Sequence, residues 1–309
     1  MKIAVFGSGG VGGYFGGRLA LAGEDVTFIA RGAHLAAINE SGLRVDSIGG
    51  DFIVHPAKAT DSPQSIGTVD LIILATKAWQ LDSAIEQMKP LVGENTMILP
   101  LLNGMEHMDT LLSAFKRNHV LGGLCRISSF VAAPRHIRHV GVPPFIAFGE
   151  LDNSKSARVD SLREMLTKIN GITVDIPVDI NTAMWEKFIF ISGTSGVGAF
   201  TRRTIGEFRA NPKTRAMLVN ALEETTAVAR ARGVLLAESF VADTMQRIDK
   251  TQPDVMASMQ KDMMEGRPSE LNEQTGAVIR MGRAVGVPTP THEVIYANLL
   301  PLENKARGL

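Results

Sequence analysis

Residues 2–17, KIAVFGSGGVGGYFGG, decide how the rest of the chain is read. A short apolar run ends directly on Gly7-x-Gly9-x-x-Gly12, and a helical pattern follows. A strand that turns through this spacing into a helix marks a dinucleotide-binding turn. Gly7 permits the tight turn, Gly9 lets a pyrophosphate approach the backbone, and Gly12 lets the helix sit close to the strand. Gly16, one turn later, keeps the same helix face small. With 30 glycines in 309 residues the spacing alone says little. Its place between an opening strand and a helix carries the inference.

Further apolar runs follow at 25–30 (DVTFIA), 69–76 (VDLIILAT), 96–101 (TMILPL) and 119–124 (HVLGGL), with helical patterns between them. Runs apolar throughout read as parallel strands covered on both faces, and their alternation with helices predicts a doubly wound α/β sheet. PFIAFG (144–149) and ITVDIP (172–177) are expected to extend that sheet. Beyond about residue 180 the pattern is helical, as in 212–233, which opens on proline and closes on glycine. The expected fold is therefore α/β: an amino-terminal Rossmann-type parallel sheet over 1–178 and a carboxyl-terminal all-helical domain over 179–309.

Charge is balanced, with 32 basic and 32 acidic residues, which argues against a nucleic-acid partner. The apolar runs are too short to span a bilayer, so no membrane association is expected. A single cysteine, Cys125, excludes an intrachain disulfide and fits a reducing, cytoplasmic setting. His136 and His139 resemble a metal pair, but their odd spacing on a strand puts them on opposite faces, so no metal is expected. The basic stretch RRTIGEFR (202–209) reads as a solvated turn.

The second strand ends FIARG, with Arg31 where an NAD site carries a carboxylate for the ribose. A guanidinium suits a 2′-phosphate, so the expected cofactor is NADP(H). Ligands of open α/β sheets gather beyond the carboxyl ends of the strands, where Lys77 and Asn103 fall. Lys77 could meet a phosphate or carboxylate, and Asn103 a nicotinamide or substrate. Position alone leaves both equally open as helix-starting loop residues. Lys187, set in MWEKFIFISG (184–193), reads either as a lysine whose stem covers apolar surface or as a group with chemistry to do.

These motifs together resemble one family. The glycine turn, ATKAWQ (75–80), LLNGME (101–106), MWEKF (184–188), SMQKDMMEGRPSELN (258–272) and VPTPTHEVIYANL (287–299) are similar, in order and spacing, to ketopantoate reductase (2-dehydropantoate 2-reductase). The resemblance implies NADPH-dependent reduction of 2-dehydropantoate to (R)-pantoate in pantothenate biosynthesis, by a monomer or homodimer acting on a small anionic 2-oxoacid. It implies that Gly7, Ser8, Gly9, Gly10, Val11, Gly12 and Arg31 hold the dinucleotide, with Lys77, Asn103, Ser128 and Glu270 as further cofactor contacts. It also implies that Lys187 is the catalytic proton donor, and that Asn103, Ser195, Ser258 and Glu270 bind substrate. The sequence departs from the family at the positions four and eight beyond the lysine, where asparagines give way to Ile191 and Ser195. That departure leaves two alternatives: a reductase of a different small 2-oxoacid, or an NADP(H)-binding regulator without turnover.

Overall fold

The computed structural model describes all residues, Met1–Leu309. They form two compact units, one of Met1–Leu102 with His107–Ile180, the other of Asn103–Glu106 with Asn181–Leu309.

The first unit opens with β1 (Lys2–Phe6), α1 (Gly10–Leu21), β2 (Asp25–Ile29), α2 (Gly32–Ser41), β3 (Leu43–Ser47), β4 (Phe52–Val54) and β5 (Lys58–Thr60). It continues with β6 (Val69–Leu74), α3 (Leu81–Met88), β7 (Val92–Pro100), α4 (Glu106–Ala114), β8 (Gly122–Ala133), β9 (His136–Gly149), α5 (Ala157–Thr167) and β10 (Thr173–Asp175). Five parallel strands form the first sheet in the order β5-β2-β1-β6-β7. Ile3, Val5, Phe28 and Leu71 are fully buried in it, as expected for strands covered on both faces.

The runs at 119–124, 144–149 and 172–177 do not extend this sheet. They belong to a second one, ordered β10-β9-β3-β4 with β8 paired to β9, and only an isolated bridge, Ile98 to Val120, reaches back to β7. The strands β8 and β9 form an antiparallel pair of 12 and 14 residues. One end of β8, Gly122–Cys125, is buried, whereas its other end is exposed even though Phe130 and Val131 are apolar. In β9 the far end mixes the buried Ile137 and His139 with exposed residues, so no continuous apolar run marks it. The short β3 and β4 alternate inward Leu43, Val45, Phe52 and Val54 with outward Arg44 and Ile53, a period too brief to stand out.

Helix α1 lies between the two sheets, and its glycines make both approaches possible. Cβ atoms at Gly12 and Gly16 would stand 2.9 and 2.8 Å from Val5, and one at Gly16 would stand 2.7 Å from Phe28, all in the first sheet. On another face, Cβ atoms at Gly13 and Gly17 would stand 2.8 Å from Ile137 and 2.9 Å from Phe52 in the second. The run of glycines past Gly12 thus serves packing as well as the turn.

The second unit holds α6 (Ile180–Thr201), whose first residue belongs to the first unit, then α7 (Ile205–Ala210), α8 (Pro212–Ala231), α9 (Phe240–Lys250), α10 (Ser258–Met264), α11 (Ala277–Ala284) and α12 (Pro290–Arg307). A π-helical segment, Asn272–Gly276, leads into α11. No helix is long and apolar enough to cross a membrane. The middle of α6 is buried all round, and glycines again admit its neighbours. A Cβ at Gly193 would stand 2.9 Å from Leu222 of α8, one at Gly196 3.5 Å from Ile295 of α12, and one at Gly198 2.4 Å from Gln260 of α10.

Glu224 of α8 caps α12. Its carboxylate accepts from the backbone N–H groups of Thr291 (2.7 Å) and His292 (3.1 Å) and lies 2.7 Å from Nδ1 of the fully buried His292. Burial opposes ionisation of Glu224, but the bonds from His292 and Thr291 outweigh it and hold the carboxyl below its ordinary value of 4.5. A depressed folded-state value stabilises the fold above the unfolded value and ceases to do so as pH falls through the folded one. Glu224→Gln should cost about 1–3 kcal/mol at neutral pH. Thermal melts of both proteins across pH 3 to 7 should show that difference whole above pH 4.5 and shrinking below it; a difference that does not vary with pH would oppose the assignment.

Candidate active site

Gly7 has φ +88°, and a Cβ there would lie 2.5 Å from the Ala75 carbonyl at the end of β6, so only glycine turns the chain here. At Gly9, the first backbone position before α1, a Cβ would have nothing within 4 Å, so this side of the loop is open. The first helical bond in α1 is Gly13 N–H to Gly9 O, at 2.7 Å. The amides of Gly10, Val11 and Gly12 therefore have no acceptor within the helix and face an anion-binding position at the positive end of the helix dipole. The loop fits a dinucleotide diphosphate. Ser8 contributes backbone only, because its hydroxyl donates to the Ile29 carbonyl at 3.1 Å and is buried.

A further strand closes on the loop. A Cβ at Gly10 would fall 2.2 Å from the Ser129 carbonyl of β8. Ser128, expected as a cofactor contact, opposes Val140 in the β8–β9 ladder, next to Ser129, whose backbone meets the loop. Adjacent strand residues face opposite ways, so a slip of one residue exchanges the side chain. The hydroxyls of Ser129 and Thr76, residues whose backbones flank this loop, are both buried without hydrogen-bond partners, which buried polar groups rarely are.

Arg31 lies between β2 and α2, one residue past Ala30, and is exposed, with Nη2 donating to Gln87 Oε1 at 2.9 Å. The only carboxylate on β2, Asp25, lies at the other end of the strand and is paired with Lys58 at 2.6 Å. The depression there, lined by Glu24, Asp25, Val54 and Lys58, has its charges already paired and no chemistry to offer. Lys77 starts the short helical turn after β6, its ammonium 5.5 Å from the ring centre of Trp79.

In the second unit, Asn103 is held against Glu270. Asn103 Nδ2 donates to Glu270 Oε2 at 3.0 Å. The segment carrying Asn103 is fixed by Glu106, which accepts from Arg280 at 3.0 and 2.6 Å. Gly104 has φ +99°, and a Cβ there would lie 2.9 Å from the Glu273 carbonyl. Glu270 is 3% exposed. Burial pushes the neighbouring Glu273 carboxyl above its ordinary value, and the charge of Glu270 adds to the effect.

Helix α6 is unbroken, so Lys187, Ile191 and Ser195 share one face. Lys187 and Ile191 are half-buried and Ser195 is buried. Met184 and Phe188, beside the lysine, are almost fully buried and exclude water from its stem. The two hydroxyls nearest Ser195 on this helix are spent: Thr194 donates to Phe190 O at 2.7 Å, and Ser192 to Ile189 O at 3.3 Å. Ser258 is exposed at the first position of α10.

His136 and His139 stand in separate settings, the first against Asp46 at 2.9 Å, the second between Ser47 Oγ and the Val142 carbonyl. The 202–209 stretch is tied down rather than solvated throughout, since Arg209 donates to the carbonyls of Ile248 and Thr251.

Comparison with known proteins agrees with this geometry. Residues 3–153 match the family Ketopantoate reductase PanE/ApbA and residues 179–303 match its carboxyl-terminal counterpart. An uncharacterized oxidoreductase of Bacillus subtilis (strain 168) is 31% identical over 97% of this chain and 98% of its own. A 2-dehydropantoate 2-reductase of Mesorhizobium japonicum is 32% identical over 96% of each chain. Among solved structures, a PanE/ApbA family ketopantoate reductase from Ralstonia eutropha JMP134 superposes with a TM-score of 0.88 at 31% identity, covering 99% of this chain and 100% of that one. A D-mandelate dehydrogenase solved with NADH shares the fold, with a TM-score of 0.90 at 24% identity over 99% of both chains.

Two neighbouring glycines should separate binding from folding. Gly9→Ala should leave the melting temperature nearly unchanged while weakening dinucleotide binding at least about tenfold, because the new methyl group occupies the anion's approach. Gly10→Ala should destabilise by about 1–3 kcal/mol through the clash with Ser129. Fluorescence titration with NADPH and thermal melts read the two effects; equal affinity in Gly9→Ala and wild type would remove the loop from the binding site.

Proposed function

The chain belongs to the ketopantoate reductase family of NAD(P)-dependent oxidoreductases, and on that premise we propose that it reduces a small 2-oxoacid with NADPH, 2-dehydropantoate being the first candidate. The observation that carries this reading is Lys187, a half-buried cation on α6 in the unit that also sets Asn103 on Glu270.

Bound NADPH supplies the hydride. The glycine loop and the free amides of α1 hold the diphosphate, and the Arg31 guanidinium supplies the partner for a 2′-phosphate. Hydride arrival leaves negative charge on the substrate oxygen, and Lys187 answers it by donating a proton from Nζ. Asn103 and Glu270 orient hydroxyl and amide groups of the bound molecules. Ser195 and Ser258 are the hydroxyls still available for substrate once Ser192 and Thr194 are committed to backbone carbonyls.

The α6 face gives specific support to a different 2-oxoacid. A substrate hydroxyl opposite Ile191 is desolvated without a partner, at a cost of about 1–3 kcal/mol. A substrate with an apolar group there avoids the cost. The reaction class is unchanged; the preferred side chain of the acid is what Ile191 alters.

A panel of 2-oxoacids that includes 2-dehydropantoate, assayed with NADPH and with NADH, tests the proposal. NADPH should be preferred, and Arg31→Ala should weaken NADPH selectively by about 1.5–3 kcal/mol, the scale of a charge-assisted hydrogen bond. The double change Ile191→Asn with Ser195→Asn should raise kcat/KM for 2-dehydropantoate relative to an acid with an apolar group at that place. A panel without turnover would leave only the binding-regulator reading.

Lys187→Ala should lower kcat at least about 100-fold with little change in NADPH affinity, because the ammonium acts on charge formed in the transition state. Near-normal turnover in that variant would return Lys187 to a packing role.

A further inference from the structure

Two side-chain amides converge on one oxygen of Glu270. Asn103 donates to Oε2 at 3.0 Å and Gln274 donates to the same atom at 3.3 Å. Oε1 of Glu270 takes no hydrogen bond from the chain. Gln274 is 1% exposed, and its own Oε1 is buried without a partner.

An orphaned buried acceptor is costly, and a leucine or methionine of similar volume would pack there without it. What the amide provides instead is the N–H directed at Glu270. Exchanging the two amide atoms would set Gln274 Oε1 against the carboxylate oxygen and lose that bond, so the orientation of the amide is fixed by its partner. The backbone delivers it one turn beyond Glu270: Gln274 N–H bonds Glu270 O at 2.9 Å, just before the ladder widens to the π-type bond from Gly276 to Leu271. Widened turns of this kind often accompany functional sites.

We propose that Gln274 is a positioning residue, which with Asn103 saturates Oε2 of Glu270 and so presents Oε1 to a ligand hydroxyl. The proposal rests on the reading above that Glu270 meets the bound molecules. The hydroxyl belongs to the cofactor ribose or to the substrate, and the two sources separate by experiment. Gln274 is then a residue tolerated at a cost in stability because it fixes the direction of a functional carboxylate.

The test compares Gln274→Met, which keeps the volume and removes both donor and orphan acceptor, with Gln274→Glu, which keeps the shape and replaces the donor by a carboxylate oxygen. Ligand-free thermal melts, NADPH titration and steady-state kinetics are measured on each. Gln274→Met should melt at or above the wild-type temperature while losing at least about tenfold in binding or kcat/KM, and Gln274→Glu should lose as much or more. A weaker NADPH affinity with unchanged KM for the oxoacid assigns the hydroxyl to the ribose. A raised KM for the oxoacid at unchanged NADPH affinity assigns it to the substrate. Gln274→Met within twofold of wild type in both quantities overturns the proposal. So does a loss that comes with a lower melting temperature, since that is the mark of a structural residue. If wild type turns over none of the oxoacids, the proposed function fails, and the NADPH titration alone then decides for or against Gln274.

Discussion

Helix α1 of the first unit stands between two sheets at close range, and the absence of side chains on its glycines allows it. Gly12 and Gly16 meet Val5 and Phe28 of one sheet, while Gly13 and Gly17 meet Ile137 and Phe52 of the other. Interiors pack at crystal-like density, so a methyl group on either stripe would push a sheet away. With the helix so placed, its first amides are aimed past Gly9 into open space, and β8 lies over Gly10. Packing and the proposed phosphate site therefore share a set of residues. That sharing explains a glycine run that continues well beyond what the turn requires.

The second unit uses the same device for a different purpose. Gly193, Gly196 and Gly198 let α8, α12 and α10 approach α6, and helices that touch this closely have little freedom to rotate. The direction in which Lys187, Ile191 and Ser195 point is thereby set by packing far along the helix. The segment Asn103–Glu106 is likewise fastened to the π-helical region by Arg280 and by the contact at Gly104. A loop that follows a Rossmann strand in sequence thus has its asparagine, Asn103, oriented by the helical unit.

Within the site, hydroxyls near one another in sequence have separate fates. Ser192 and Thr194 turn back to carbonyls one turn earlier, as such residues commonly do in helix interiors. Ser195 has no such bond and shares the face of Lys187. The proposal of a different 2-oxoacid draws on this arrangement, because Ser192 and Thr194 are not free to take over the amides missing at Ile191 and Ser195.

The sequence by itself determined the glycine turn, the parallel strands β1, β2, β6 and β7, and the helical second half, and it singled out Arg31, Lys77, Asn103 and Lys187 as candidates. All of these depend on local spacing, on continuous apolar runs or on a motif confined to a few residues, which a linear pattern preserves. Tertiary structure alone decided that a second sheet exists, since β8 and β9 are only partly buried and their exposed stretches carry no continuous run or alternation that tracks burial. It also decided that the backbone of Ser129 lies against the loop, because strand register is fixed by the partner strand and not by the residue's own neighbours. The bond from Asn103 to Glu270 lay beyond sequence as well, unlike that from Gln274, which is only four residues away. Hydrogen bonds between residues 167 positions apart follow from how the elements pack, and side-chain chemistry alone does not specify that packing.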